Sequence, residues 1–165
     1  MNEAYLCLGG NLGNCTETFE KAVKLLEKRA VRAYRSSSVY MSGAWGMEKA
    51  PDFYNQVVAI KTNHSAQQLM ELILEIERTL GRERTESNTY QSRTIDIDIL
   101  FFNEEIIHTT TLDIPHPRLH LRRFVLEPLN EIAPGYMHPV LKKTVAELLH
   151  ECGDNSPIKK LNRAF

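Results

Sequence analysis

The stretch Arg93-Thr-Ile-Asp96-Ile-Asp98-Ile-Leu-Phe-Phe102 constrains the fold most. Ile, Leu and Phe at this density predict a buried β-strand. Side chains alternate between the two faces of a strand, so Asp96 and Asp98 point one way and Ile95, Ile97 and Ile99 the other. The two aspartate α-carbons then lie roughly 6–7 Å apart. Carboxylates buried in so apolar a strand cost several kcal/mol each without compensation. A hard cation is one remedy, because Mg²⁺ takes one or two carboxylates and fills its other positions with water and substrate phosphate. A solvent-facing strand end, with each acid paired to an Arg, is the other.

The rest of the chain supplies partners for that strand. A short apolar run, Ala4-Tyr-Leu-Cys-Leu8, predicts a first strand, and Gly9-Gly-Asn-Leu-Gly13 a turn after it. No Gly-Lys-Ser/Thr follows, so this is not a Walker loop. Asn14 and Glu17 resemble a capping box, with Phe19, Ala22, Val23 and Leu26 at helical spacing behind them. Residues 33–41 and 53–61 predict two more strands, separated by a Gly- and Pro-containing loop that holds the only tryptophan, Trp45. Alternation puts Asn55 on the same face as Phe53, where it serves a neighbouring strand or reads a ligand's polar edge. Ser65 and Gln68 form a second capping box, Leu69, Leu72, Ile73, Ile76 and Leu80 a buried stripe, and Gly81 the stop.

Strand, helix, strand, strand, helix, strand is the βαββαβ order of a ferredoxin-like α+β fold, an antiparallel sheet with both helices on one face. Asn103-Glu104 is expected to turn the aspartate strand into a hairpin with residues 105–108. A helical stretch near 121–132, limited or bent by Pro128, and a structural helix opened by Thr144 and Glu147 complete the expectation. At 165 residues the chain is expected to be one domain, 1–165.

Charge is placed unevenly. The net charge is −1, which gives no general basic footprint for nucleic acid. Yet Arg82, Arg84 and Arg93 flank the approach to the aspartates, and Arg118, Arg122 and Arg123 with His116 and His120 occupy a stretch without acids. Positive charge collected around two metal-ready carboxylates suits a polyphosphate. His116 and His120 do not suit zinc, since Pro115 and Pro117 oppose a regular helix and no HExxH glutamate is present. Three widely spaced cysteines fit a reducing cytoplasm better than a disulfide framework. No signal segment or membrane span is expected, and no obligate protein partner.

These residues resemble those of the 6-hydroxymethyl-7,8-dihydropterin pyrophosphokinase family. The likeness runs from Tyr5 to about Pro134. It rests on Leu8-Gly-Gly-Asn-Leu-Gly13, Ser37-Ser-Val-Tyr40, Asp52-Phe-Tyr-Asn55, Gly81-Arg82-Glu-Arg84, the aspartate strand, Ile114-Pro-His-Pro-Arg118 and Arg123-Phe-Val-Leu-Glu-Pro-Leu129. The resemblance implies the ferredoxin-like fold and transfer of pyrophosphate from ATP to the pterin hydroxymethyl oxygen, a step of folate biosynthesis. It implies that Asp96 and Asp98 hold two Mg²⁺ ions, and that Arg82, Arg84, Arg93, His116 and Arg122 act on the triphosphate. By the same likeness Phe53 and Phe124 sandwich the pterin, Asn55 reads its edge, and Ser42 and Trp45 belong to a loop that covers it. Glu77 and Ile99 correspond to positions that shape the nucleotide pocket. Loops 43–52 and 83–92 correspond to lids whose closure excludes water. Ala44, Tyr90 and Ser92 depart from the family's usual Pro, Trp and Pro, which bears on loop closure rather than on reaction type.

Two other classes compete. One is a ferredoxin-like binding module, a single-stranded RNA binder or a ligand-sensing regulatory domain. An RNA binder would carry an aromatic RNP string and a basic sheet face. No RNP-like string is present, and Asp96 and Asp98 would repel a phosphate backbone unless metal intervened. A Mg²⁺-dependent phosphohydrolase would release phosphate or AMP from ATP without pterin.

Overall fold

The computed structural model describes residues 1–43, 52–81 and 94–164. β1 (Asn2–Gly10) leads into α1 (Cys15–Lys28). Asn14 caps α1 by accepting a hydrogen bond from the Glu17 amide at 3.1 Å. Phe19, Ala22 and Leu26 are fully buried, as their spacing requires. β2 (Val31–Ser36) and β3 (Ser38–Ser42) follow, then β4 (Phe53–Thr62). α2 (Ala66–Thr79) opens with the complete Ser65–Gln68 capping box and stops at Gly81, whose φ of +94° is readily accessible to glycine. β5 (Asp96–Phe102) carries the aspartates.

The main sheet has the order β5-β1-β4-β3, with β2 also paired to β4. All these pairs are antiparallel. This is the ferredoxin-like order, with α1 and α2 packed on one face over Leu6, Leu8, Val58, Ile60, Ile97 and Ile99. The opposite face is covered by α3 (Arg123–Ile132) and α4 (Val145–Glu151). α3 buries Val125, Leu126, Leu129 and Ile132 and runs through Pro128 to its end at Ile132. Thr144 opens α4 with a complete capping box, as its sequence requires. Among the described residues no helix is long and apolar enough to cross a membrane.

Several elements differ from the expectation. The glycines Gly9 and Gly10 belong to β1 rather than to the turn, which begins at Asn11. The single strand expected over 33–41 is two, broken at Ser37. There the buried Ser37 hydroxyl accepts a hydrogen bond from the Val57 amide at 2.9 Å and donates to the Ser38 carbonyl. The side chain thus replaces one rung of the ladder. Residues 107–108 do not pair with β5. As β6 (Ile107–His108) they pair with β7 (Asp113–Ile114) in a separate two-stranded ribbon. Asn103, at φ +50°, still turns the chain. Its amide is taken by the Glu3 carbonyl at 2.7 Å, and its side-chain oxygen accepts from the Glu3 amide at 2.9 Å.

The sequence reading contains no strand at the chain's end, but β8 (Ile158–Ala164) pairs antiparallel with β3 and extends the sheet. Its alternation is weak and its composition polar, so periodicity does not reveal it. Glu131 of α3 ties the junction together. It accepts hydrogen bonds from the Ser38 amide and hydroxyl and pairs with Lys160 of β8 at 2.8 Å. Burial pushes its carboxyl up, but hydrogen bonds from Lys160 and Ser38 outweigh that and hold it below the usual range.

Ser37→Ala leaves the Val57 amide buried without its acceptor. An unfolding free energy lower by about 1–3 kcal/mol is expected, read from denaturant melts. A variant as stable as the parent would show that Ser37 is not the ladder's substitute partner.

Candidate active site

The register of three strands builds the floor of a cleft. β1 lies between β4 and β5, so Gly9 faces Asp96 on one side and Asn55 on the other, and Cys7 faces Asp98 and Val57. Directly paired residues share a sheet face. Asp96, Gly9 and Asn55 therefore form one row across the sheet, and Asp98, Cys7 and Val57 the next. That face carries α3 further along, but above these rows it opens into a cleft of about 1000 Å³.

Gly9 makes room in the row. A β-carbon there would stand 2.9 Å from the Asn55 Oδ1 atom. Asn55 is 5% exposed, and its Nδ2 donor is buried without a hydrogen-bond partner among the described residues. A buried amide left without its partner costs on the order of 1–3 kcal/mol. Asn55 lines the cleft, so a ligand acceptor placed there would recover that cost. Phe53, two residues before it on the same face, lines the cleft beside it. Phe124 lines it from the first turn of α3, and the Arg122 guanidinium lies 5.6 Å from the Phe124 ring centroid. Ser42, at the end of β3 and paired with Phe53, completes this end.

The other end is ionic. Asp96 and Asp98 line the cleft, and Asp98 is 40% exposed at its side chain. His116 Nε2 stands 4.0 Å from Asp98 Oδ2. Burial and the charge of Arg122 lower His116 to about 4, although Asp96 pulls the other way. At neutral pH this is a neutral imidazole beside a carboxylate rather than an ion pair. Its Nδ1 accepts a hydrogen bond from the Arg118 amide at 3.2 Å, which leaves the proton on Nε2, directed to the aspartate side. Cys7 lies beneath both carboxylates. Burial, then the charges of Asp98 and Asp96, push its thiol well up, so it remains a neutral part of the floor.

Among the described residues no group of three or more His, Cys, Asp or Glu side chains is arranged to hold a metal. The Asp96–Asp98 pair nevertheless fits Mg²⁺. Both are oxygen donors, both open to the cleft, and Mg²⁺ needs only one or two protein carboxylates when phosphate supplies the rest. His120 lies apart from this pair, with its Nδ1 buried and its ring packed 6.4 Å from that of His138.

The structure thus brings together Ser42, Phe53, Asn55, Asp96, Asp98, His116, Arg122 and Phe124. Glu77 and Ile99, each 3% exposed, are not among the residues lining the cleft. Ile99 packs in the core under α1 and α2. Arg82, Arg84, Arg93 and Trp45, and the departures at Ala44, Tyr90 and Ser92, lie outside the described residues. The lining also includes Gly9, Leu121, Val125 and the segment 153–156, none of which the sequence reading assigned to the site. Only the strand register could have singled out Gly9, and register is not visible in one sequence.

A sequence profile described as 7,8-dihydro-6-hydroxymethylpterin-pyrophosphokinase matches residues 5–134. The chain belongs to this pyrophosphokinase family. A 2-amino-4-hydroxy-6-hydroxymethyldihydropteridine pyrophosphokinase of Aquifex aeolicus is 38% identical over 151 residues, 92% of each chain. The one of Bacillus subtilis is 43% identical over 132 residues, 79% of this chain and 78% of its own. Among solved structures, the Plasmodium falciparum HPPK-DHPS with pteroate superposes with a TM-score of 0.73 at 20% identity. It shares the fold over 91% of this chain, which spans 44% of that longer one. The ferredoxin-like α+β fold expected from the element order is therefore the one found, and it is shared with these pyrophosphokinase domains.

In Gly9→Ala the added methyl collides with Asn55. A folded variant less stable by about 1–3 kcal/mol is expected, as for overpacked cores, measured by denaturant unfolding. Unchanged stability would mean that Asn55 can vacate its place at no cost.

Proposed function

We propose that this cleft transfers pyrophosphate from ATP to 6-hydroxymethyl-7,8-dihydropterin, giving the pterin diphosphate and AMP for folate biosynthesis. The observation that carries the site assignment is the single row Asp96–Gly9–Asn55. It joins a carboxylate end suited to metal and phosphate to an end where a buried amide, without a partner among the described residues, shares the cleft with Phe53 and Phe124. A flat heteroaromatic ring with polar edges matches the second end, and a polyphosphate the first.

The pterin ring stacks between Phe53 and Phe124, and Asn55 Nδ2 donates to an acceptor on its edge. Ser42 closes the ring's outer side. This holds the hydroxymethyl group toward Asp96. The hydroxymethyl oxygen attacks the β-phosphorus of ATP. The bond from that phosphorus to the oxygen bridging the α-phosphate breaks, AMP leaves, and the hydroxyl proton is released. Asp96 and Asp98 would hold two Mg²⁺ ions, which when bound neutralise phosphate charge and align the attacking and leaving oxygens. Arg122 and the Nε2–H of His116 contribute positive charge and a donor to the triphosphate. Arg82, Arg84 and Arg93 are assigned to the triphosphate, Trp45 to the pterin, and Glu77 and Ile99 to the nucleotide pocket, all on the resemblance alone. The whole chain, 1–165, acts as one catalytic domain on small molecules. Its free cysteines suit the cytoplasm.

The test is AMP formation from MgATP with and without the pterin. AMP that appears only with pterin, alongside its diphosphate ester, is the expected result. AMP or phosphate released equally without pterin would make the protein a hydrolase and overturn the reading.

Asp96→Ala or Asp98→Ala should lower turnover roughly 10²-fold or more, the scale of losing a preorganised charge-stabilising group, while circular dichroism stays native. Near-normal turnover in either variant would remove that aspartate from the metal site.

A further inference from the structure

The first turn of α3, which carries Phe124, has no side-chain cap from its own N-cap residue, Arg122. The acceptor comes from far along the chain. Asp154 Oδ2 accepts from the Arg123 amide at 3.1 Å, and Oδ1 accepts from the Ser156 amide at 2.9 Å. One carboxylate therefore fastens the first turn of α3 to the segment that follows α4. That turn contributes Arg122, Phe124 and Val125 to the cleft.

The same segment reaches the opposite wall. Ile158, two residues beyond Ser156, is the register partner of Ser42 at the end of β3. Residues 153–156 thus bridge from the base of Phe124 to the edge of Ser42, and all four line the cleft. Asn155 is exposed there, and Ser156 is half-buried. The matched family profile ends at residue 134, so this bridge lies outside it.

The geometry points to the 153–156 segment as a third wall of the pterin end of the cleft, with Asp154 a positioning residue that sets Phe124 and Asn155 a side chain that meets the bound ring. This rests on the pterin reading above. Its physical basis is separate, because the Asp154 bridge is made whatever ligand is bound. Burial pushes the Asp154 carboxyl up, but hydrogen bonds from Ser156 and Arg123 hold it below the usual range. It is thus a charged acceptor at a helix N-terminus, where negative charge is favoured.

The experiment compares the full-length parent with Asp154→Ala, Asp154→Asn and Asn155→Ala. Pterin affinity is read with a non-hydrolysable ATP analogue present, nucleotide affinity is read alone, and amide hydrogen exchange at 123–125 is read without ligand. Asp154→Ala should weaken pterin roughly three- to thirtyfold, the factor that losing an ordinary helix cap corresponds to. Nucleotide affinity should fall less than pterin affinity, because Arg122 is the one residue of that turn assigned to the triphosphate, and exchange at 123–125 should accelerate. Asp154→Asn keeps one acceptor oxygen for two amides, so it should show both effects in reduced form. Asn155→Ala should weaken pterin without changing exchange.

Equal loss of nucleotide and pterin affinity in Asp154→Ala would make Asp154 a general stabiliser and overturn its positioning role. Unchanged pterin affinity in the folded Asp154→Ala and Asn155→Ala variants would overturn the wall. Should Asp154→Ala not fold, Asp154→Asn and Asn155→Ala decide by the same readouts. A parent that binds nucleotide but not pterin would defeat the functional reading and the ring contact together, while the exchange data would still decide whether Asp154 holds the turn.

Discussion

The cleft depends on the hydrogen-bond register that holds β1 between β4 and β5. Side chains in a sheet alternate with a period of two, so a slip of one residue would reverse every face. In the observed register Asp96, Gly9 and Asn55 share a row, and Asp98 and Cys7 the next. A one-residue slip of β5 would turn Ile95 and Ile97 into the cleft and drive both carboxylates under α1 and α2. Burying them there would cost several kcal/mol per ion. The apolar face over α1 and α2 therefore protects the register, and the register places the charges.

The two faces of the sheet divide the work. α1 and α2 pack on one face and bury its apolar residues. α3 and α4 cover only part of the other, and the uncovered part is the cleft. Polar groups accumulate at this boundary because the backbone there is irregular. Ser37 replaces a rung, Glu131 gathers Ser38 and Lys160, and Asp154 caps α3 from a distance. Each takes up a backbone amide that the interrupted elements would otherwise leave unmet. In the cleft a side-chain amide, Asn55 Nδ2, has no partner among the described residues, and a ligand acceptor would satisfy it.

His116 illustrates how a site can tune a donor without a charge. Burial and neighbouring arginine keep its imidazole neutral, and the Arg118 amide fixes which nitrogen holds the proton. The residue next to a carboxylate pair then presents an N–H donor instead of competing for the carboxylates as a cation.

Much of this was legible in the sequence. Apolar periodicity and capping residues determined α1, α2, α4 and the core strands, because those signals are local. Alternation in β5 alone separated Asp96 and Asp98 from Ile95, Ile97 and Ile99, and motif likeness named the aromatic and basic residues around them. The tertiary structure decided what depends on pairing between distant segments. Only the β1–β4 register shows that Gly9 exists to admit Asn55. Only the return of β8 to β3 brings residues 153–156 to the cleft, and only the hydrogen bond from the Arg123 amide to Asp154 shows what fastens the turn that carries Phe124. Such contacts join residues tens of positions apart and leave no periodic trace. Local chemistry therefore specified which elements form and which faces they bury, while non-local hydrogen bonding determined where their functional side chains meet.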